Sequence, residues 1–136
     1  MNENGVLRTW LIVAGAALVG AGLLGFVDNP IASGSENALF RVNGVHNAIH
    51  VATGLLALAI ALGLRGRDQA TAAVGFGVLY GAVAVVGIVD PSLFGLMSDA
   101  PINAGDHVLH LGAGVISVGL GWMARSGTGV TSTSRA

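Results

Sequence analysis

Charge divides this chain before anything else does. No Asp, Glu, Lys or Arg occurs from Trp10 to Val27, from Val42 to Leu64, from Ala70 to Val89 or from His107 to Ala124. Each run is about as long as a helix must be to cross hydrocarbon, roughly 20 residues. In a bilayer such a run must be helical, because only a helix satisfies its own backbone polar groups. The punctuation between runs is equally plain. Asp28-Asn29-Pro30 and Asp90-Pro91 end helices one and three, since proline cannot continue the hydrogen-bond ladder and restricts the residue before it. Arg65-Gly66-Arg67-Asp68-Gln69 makes a compact charged turn between helices two and three. Ser98-Asp99-Ala100-Pro101 reads as a helix start, with a capping side chain and proline in the first turn.

The expected fold is therefore all-α: a four-helix transmembrane bundle with helices at about residues 8–27, 37–64, 70–89 and 100–124. Residues 1–124 form one domain, and the Ser/Thr/Gly-rich residues 125–136 are expected to be a disordered tail. The loop from Ile31 to Arg41 precedes helix two, and Glu36 to Phe40 is a candidate for its first turn. The first run is long for a signal peptide core and no clear small-x-small cleavage site precedes the next polar stretch, so a retained span is expected. Composition agrees: 53% of residues are hydrophobic and only 10% charged. A soluble domain carries about 25% charged residues. There is no cysteine, so disulfides and thiolate metal sites are excluded. Net charge is -1 with no basic patch, so nucleic acid is not an expected partner. Membrane lipid is, and glycine-rich faces (Gly15, Gly20, Gly22 and Gly75, Gly77, Gly81) pack either within the bundle or against other subunits in a homo-oligomer.

Two polar stripes interrupt the apolar pattern. Helix two carries Asn43, His46, Asn47 and His50, then Gly54; helix four carries Asn103, Asp106, His107 and His110, then Gly114. At these spacings each set shares one helix face. A shift of sixty positions lays one stripe on the other, His50 on His110 and Gly54 on Gly114. The chain thus reads as two tandem two-helix repeats, related by a pseudo-twofold axis along the membrane normal that brings helices two and four face to face. Arg8, Arg65, Arg67, Arg125 and Arg135 fall on one side and only Arg41 on the other. The positive-inside rule then puts both termini in the cytoplasm of a multi-pass protein of the cell membrane. His50 would lie about 13 Å below the entry of helix two near Arg41.

Ionisable groups at that depth are costly and face partners. Three readings of the stripes compete. In the first, His46, His50, Asp106 and His110 hold one transition-metal ion, zinc, copper or iron, with Asn43, Asn47, Asn103 and His107 orienting the ligands. In the second, His50 and His110 are axial ligands of haem b in an electron carrier, with Gly54 and Gly114 making room for the porphyrin. In the third there is no cofactor. The stripes are then interhelical hydrogen-bond glue, worth about 0.6 kcal/mol per contact, in a structural or scaffolding subunit that self-associates. No nucleophile sits beside a histidine in a recognisable motif, so no catalytic residue is assigned and a non-enzymatic role is expected.

These residues, Asn43, His46, Asn47, His50 and Gly54 with Asn103, Asp106, His110 and Gly114, together with the Asp-Pro breaks, carry a resemblance. The chain resembles, over about residues 5–124, the four-helix bacterial and archaeal membrane proteins grouped as domain of unknown function 4383. The resemblance implies a four-span bundle with both ends cytoplasmic and carries no activity with it.

Overall fold

The computed structural model describes residues 3–127. It contains α1 (Glu3–Leu24), α2 (Gly44–Gly63), α3 (Gly66–Val89) and α4 (Ala104–Gly127), with two short strands, β1 (Ala32–Ser33) and β2 (Phe40–Arg41), between α1 and α2. All four helices are long and apolar enough to cross a membrane. α4 runs past Ala124 to Gly127, placing Arg125 in its last turn, where a cation complements the helix dipole. The remainder of the expected tail, residues 128–136, lies outside the described residues.

Helix ends are set by side chains that take up orphan backbone groups. α1 ends at Leu24, before the proline, because Asn29 reaches back: its amide donates to the Leu24, Val27 and Ala32 carbonyls at 2.6–3.1 Å. Its Oδ1 accepts from the Ile31 and Ala32 amides. Residues 36–40, a candidate first turn of α2, are not helical. The chain is instead drawn into a parallel pairing of Ala32 with Phe40 and Ser33 with Arg41. α2 begins only after Asn43, whose Oδ1 accepts from the His46 amide at 2.8 Å. α4 begins not at Ser98–Pro101 but after Asn103. Asn103 Oδ1 accepts from the Asp106 amide while Asp106 Oδ2 accepts from the Asn103 amide, both at 3.1 Å, a reciprocal capping box.

The turn between α2 and α3 is held by a residue the sequence reading passed over. Gln69 is buried, and its Nε2 donates toward the carbonyls of Ile60, Ala61 and Leu64 at 2.9–3.2 Å, closing the last turn of α2 from the first turn of α3. Replacing Gln69 by Leu removes this donor from the Ala61 and Leu64 carbonyls, while Ile60 keeps the Leu64 amide at 3.2 Å. The expected loss is about 1–3 kcal/mol of unfolding free energy, measured in mild detergent. An unchanged midpoint would show that water takes over the cap.

α1 lies along α2 and α3 along α4; α1 also touches α4, and α2 touches α3 more lightly. α2 and α4 are diagonal and have no backbone approach, so they do not pack face to face as the repeat argument expected. The reason lies in the glycines. A Cβ on Gly54 would sit 2.7 Å from the Gly15 carbonyl oxygen and the Val19 amide of α1. One on Gly77 would sit 2.7 Å from the Gly114 carbonyl oxygen and the Val118 amide of α4. Each hairpin closes on its own glycine contact, which spends Gly54 and Gly114 on α1 and α3. Of the glycines considered for self-association, Gly15, Gly22 and Gly77 face helices within the bundle, whereas a Cβ on Gly20, Gly75 or Gly81 would meet nothing.

The molecule is apolar outside and polar at its centre. Leu55, Val78, Val85, Val115 and Trp122 are more than half exposed, while His46, Asn47, His50, Asp106, His110 and Ser117 are buried. Such an apolar exterior suits contact with lipid.

Candidate metal centre

The site is built from two diagonal helices. His46 and His50 stand one turn apart on α2, and His110 reaches across from α4. All three are at most 3% exposed. Their ring centroids are 4.4 Å apart for His46 and His50, 5.7 Å for His46 and His110, and 5.8 Å for His50 and His110. One nitrogen from each ring lies within 4.8 Å of one from each of the others. The closest approach is His50 Nε2 to His110 Nε2, 3.4 Å. Both ring nitrogens of His46 and the Nδ1 atoms of His50 and His110 are buried without a protein hydrogen-bond partner.

Asp106 is not in this group. Its Oδ2 accepts from the Asn103 amide and from the Arg41 amide at 3.3 Å, so the carboxylate serves the start of α4 and the end of β2. Its Oδ1 is buried and unpartnered. The four residues expected to orient the ligands have other contacts. Asn43 caps α2, and its amide bridges to the Leu96 carbonyl at 3.0 Å and Asp99 Oδ1 at 2.6 Å. Asn103 caps α4 and donates to the carbonyls of Ala38 and Leu39. Asn47 is buried against α1, where a Cβ on Gly25 would collide with its side chain. His107 points toward α3, its ring 3.3 Å from where a Gly87 Cβ would be.

A cavity of about 90 Å³ adjoins the three imidazoles, lined besides them by Thr53, Tyr80 and Met97 and by apolar side chains of α2, α3 and the loop after α3. Tyr80, the one tyrosine of the chain, bonds Thr53 Oγ1 through its hydroxyl at 2.6 Å, and its ring centroid is 5.6 Å from that of His110. Sequence reasoning missed Tyr80, Thr53 and Met97. The available signal was that a lone phenol in an otherwise apolar span must find a hydrogen-bond partner.

The loop from Asp90 to Asn103 closes the site from above. Asp90 accepts from the Ser92 hydroxyl at 2.6 Å, the Ser92 amide and the Phe94 amide. These bonds, the Ser92 hydroxyl first, hold its carboxyl below the ordinary carboxylate value. The Asn43 amide does the same for Asp99. Asp28, Glu36, Asp90, Asp99 and Asp106 all belong to this end of the bundle, against Arg41 alone, so its potential favours cations.

The site is too small for a porphyrin. The two imidazoles meant as axial ligands already approach to 3.4 Å with rings at 80°, and the glycines meant to open a slot are filled by neighbouring backbone. A single ion fits the donor set. Bonds of about 2 Å in a trigonal arrangement hold nitrogens about 3.5 Å apart, and the three imidazoles place theirs within 4.8 Å of one another.

Neither a curated protein nor a solved structure matches the chain. The family described as "Domain of unknown function (DUF4383)" matches residues 8–123. With nearly the whole bundle covered, from α1 through α4, the chain belongs to the DUF4383 family.

Proposed function

We propose that this is a multi-pass membrane protein whose function is to hold one transition-metal ion at His46, His50 and His110. The supporting observation is the convergence of three buried imidazoles with four ring nitrogens unpartnered. Glue would leave few such atoms, because an unsatisfied buried polar group costs about 1–3 kcal/mol. Here only one nitrogen-to-nitrogen contact joins the rings, and at 3.4 Å it is long for a hydrogen bond. The acidic outer loops favour delivery of a cation to the site. In the orientation proposed from arginine placement, the termini and the α2–α3 turn face the cytoplasm and the site lies in the outer half of the bilayer. The Asp106 carboxylate, first considered a ligand, is assigned instead to capping α4 and to offsetting the charge of the ion.

The test is the visible spectrum and metal content of the untagged protein, purified in mild detergent without chelator. The native chain is expected to carry about one metal ion and no Soret band, and the His50→Ala/His110→Ala variant to carry none. A native protein that is folded, colourless and metal-free overturns the proposal. A Soret band lost in the variant overturns it in favour of haem.

A further inference from the structure

We propose that the ion is monovalent copper and that the thioether of Met97 is its additional donor. This deepens the metal reading above and rests on it. The first argument is charge. The three imidazoles and the thioether are all neutral, and the surrounding cavity wall is supplied by Ile49, Leu79, Val83 and Leu93. The cost of burying an ion grows with the square of its charge, so in this setting a divalent ion is about four times as costly as a monovalent one. No carboxylate lines the cavity; the buried carboxylate of Asp106, one turn before His110 on α4, stands outside that lining and supplies at most a single negative charge, which balances a single positive one.

The second argument is donor softness. Thioether sulfur is a soft donor that suits cuprous copper and not magnesium or manganese, imidazole accepts copper as well, and the cost of burying a double charge disfavours divalent zinc. Met97 is 1% exposed and lines the same cavity as the three histidines.

The third is the backbone that presents it. Leu93 and Phe94 both adopt left-handed conformations, at φ 46° and 59°, which side chains of this kind rarely take. Such strain persists only where surrounding contacts enforce it, and it concentrates at functional sites. Here the enforcing contacts are the Asp90 carboxylate on Ser92 and Phe94, the Met97 amide donating to the Ser92 carbonyl at 2.8 Å, and the Asn43 amide on the Leu96 carbonyl. Together they fold the segment from Ser92 to Ser98 back over the cavity, with Leu93 and Met97 turned into it.

The test uses the untagged full-length chain, stripped of metal in mild detergent. It is titrated with Cu(I) under ascorbate against a competing Cu(I) chelator, and separately with Zn(II). One Cu(I) per chain is expected, bound about a hundredfold more tightly than Zn(II). The copper K-edge spectrum should show nitrogen neighbours and one sulfur. Met97→Leu should remove the sulfur signal and weaken Cu(I) binding by on the order of tenfold while leaving Zn(II) binding unchanged. The native spectrum needs no variant, so a Met97→Leu chain that fails to fold leaves the test intact. Tighter Zn(II) than Cu(I), or copper without a sulfur neighbour, overturns this inference and leaves the metal site standing. Failure of the native chain to bind either ion overturns both.

Discussion

Adding the bound ion to chelator-stripped protein, to roughly a thousand times its dissociation constant, is expected to raise the unfolding free energy by about 4 kcal/mol. The size follows from that concentration ratio; the positions of the donors decide where the effect is felt. His46 and His50 belong to the α1–α2 hairpin and His110 to the α3–α4 hairpin. An ion shared among them adds a bond between two halves that already meet through an apolar core, including Leu7, Leu11, Phe76 and Ala113, and through a few polar contacts. The polar contacts include Trp10 Nε1 to Ser117 Oγ at 2.8 Å, Thr53 to Tyr80, the Arg41 amide to Asp106, the Gln69 side chain to the end of α2, and the Asn43 and Asn103 bridges to the opposite loop. The unfolded chain in detergent keeps helical segments, and His46 with His50 still forms a two-donor pair on isolated α2. That residual affinity is subtracted from the gain. His110→Ala therefore separates the contributions: it should abolish the ion-dependent shift while changing the metal-free stability far less. Thermal unfolding of both chains, with and without ion, decides the matter. An equal shift in the variant would place the ion away from the inter-hairpin site.

How much of this was legible in the sequence depends on the range of the interaction. The four helices followed from charge-free runs, because length against bilayer thickness is a local property. The convergence of His50 with His110 followed from stripes on two helix faces. Asp106 shows the limit. As the third residue after Asn103 it fits a capping box as well as it fits a chelating pair with His110, and both patterns occupy the same helix face. Only the bonds to the Asn103 and Arg41 amides show that its Oδ2 is committed to backbone. Helix adjacency was not legible, because it is decided by which glycines meet. Gly54 pairs with Gly15 and Gly114 with Gly77, and no pattern within one helix names its partner. The β1–β2 pairing escaped notice because two-residue strands have no periodicity to read. Met97 was invisible for a related reason: a loop residue reaches the site only through the folded path of its own segment.

The second large effect concerns those glycines. Gly54→Val and Gly114→Val are each expected to cost about 3 kcal/mol, the upper end of what overpacking costs. At Gly54 the obstacles on α1 are backbone atoms, the Gly15 oxygen and Val19 nitrogen at 2.7 Å, which cannot rotate away as a side chain end would. At Gly114 they are the Gly81 nitrogen at 2.8 Å and the Gly77 oxygen at 3.0 Å on α3. The two sites share no contact partner and lie in different helix pairs, so the double variant should lose about 6 kcal/mol, near the whole stability of a marginal fold. Gly75→Ala supplies the control. A Cβ there meets nothing within 4 Å, and alanine is the better helix former, so its stability should hold or rise by up to about 1 kcal/mol. Denaturant titration of the four chains in the same detergent measures all of this. The metal readout adds a further consequence. Because Gly54 lies one turn beyond His50 and Gly114 one turn beyond His110, spreading either hairpin moves an imidazole relative to its partners. Variants that remain folded should therefore also bind the ion more weakly, whereas Gly75→Ala should not. If Gly54→Val and Gly114→Val were no less stable than Gly75→Ala, the close backbone contacts that make α2 and α4 diagonal would be wrong, and the three-histidine geometry would fall with them.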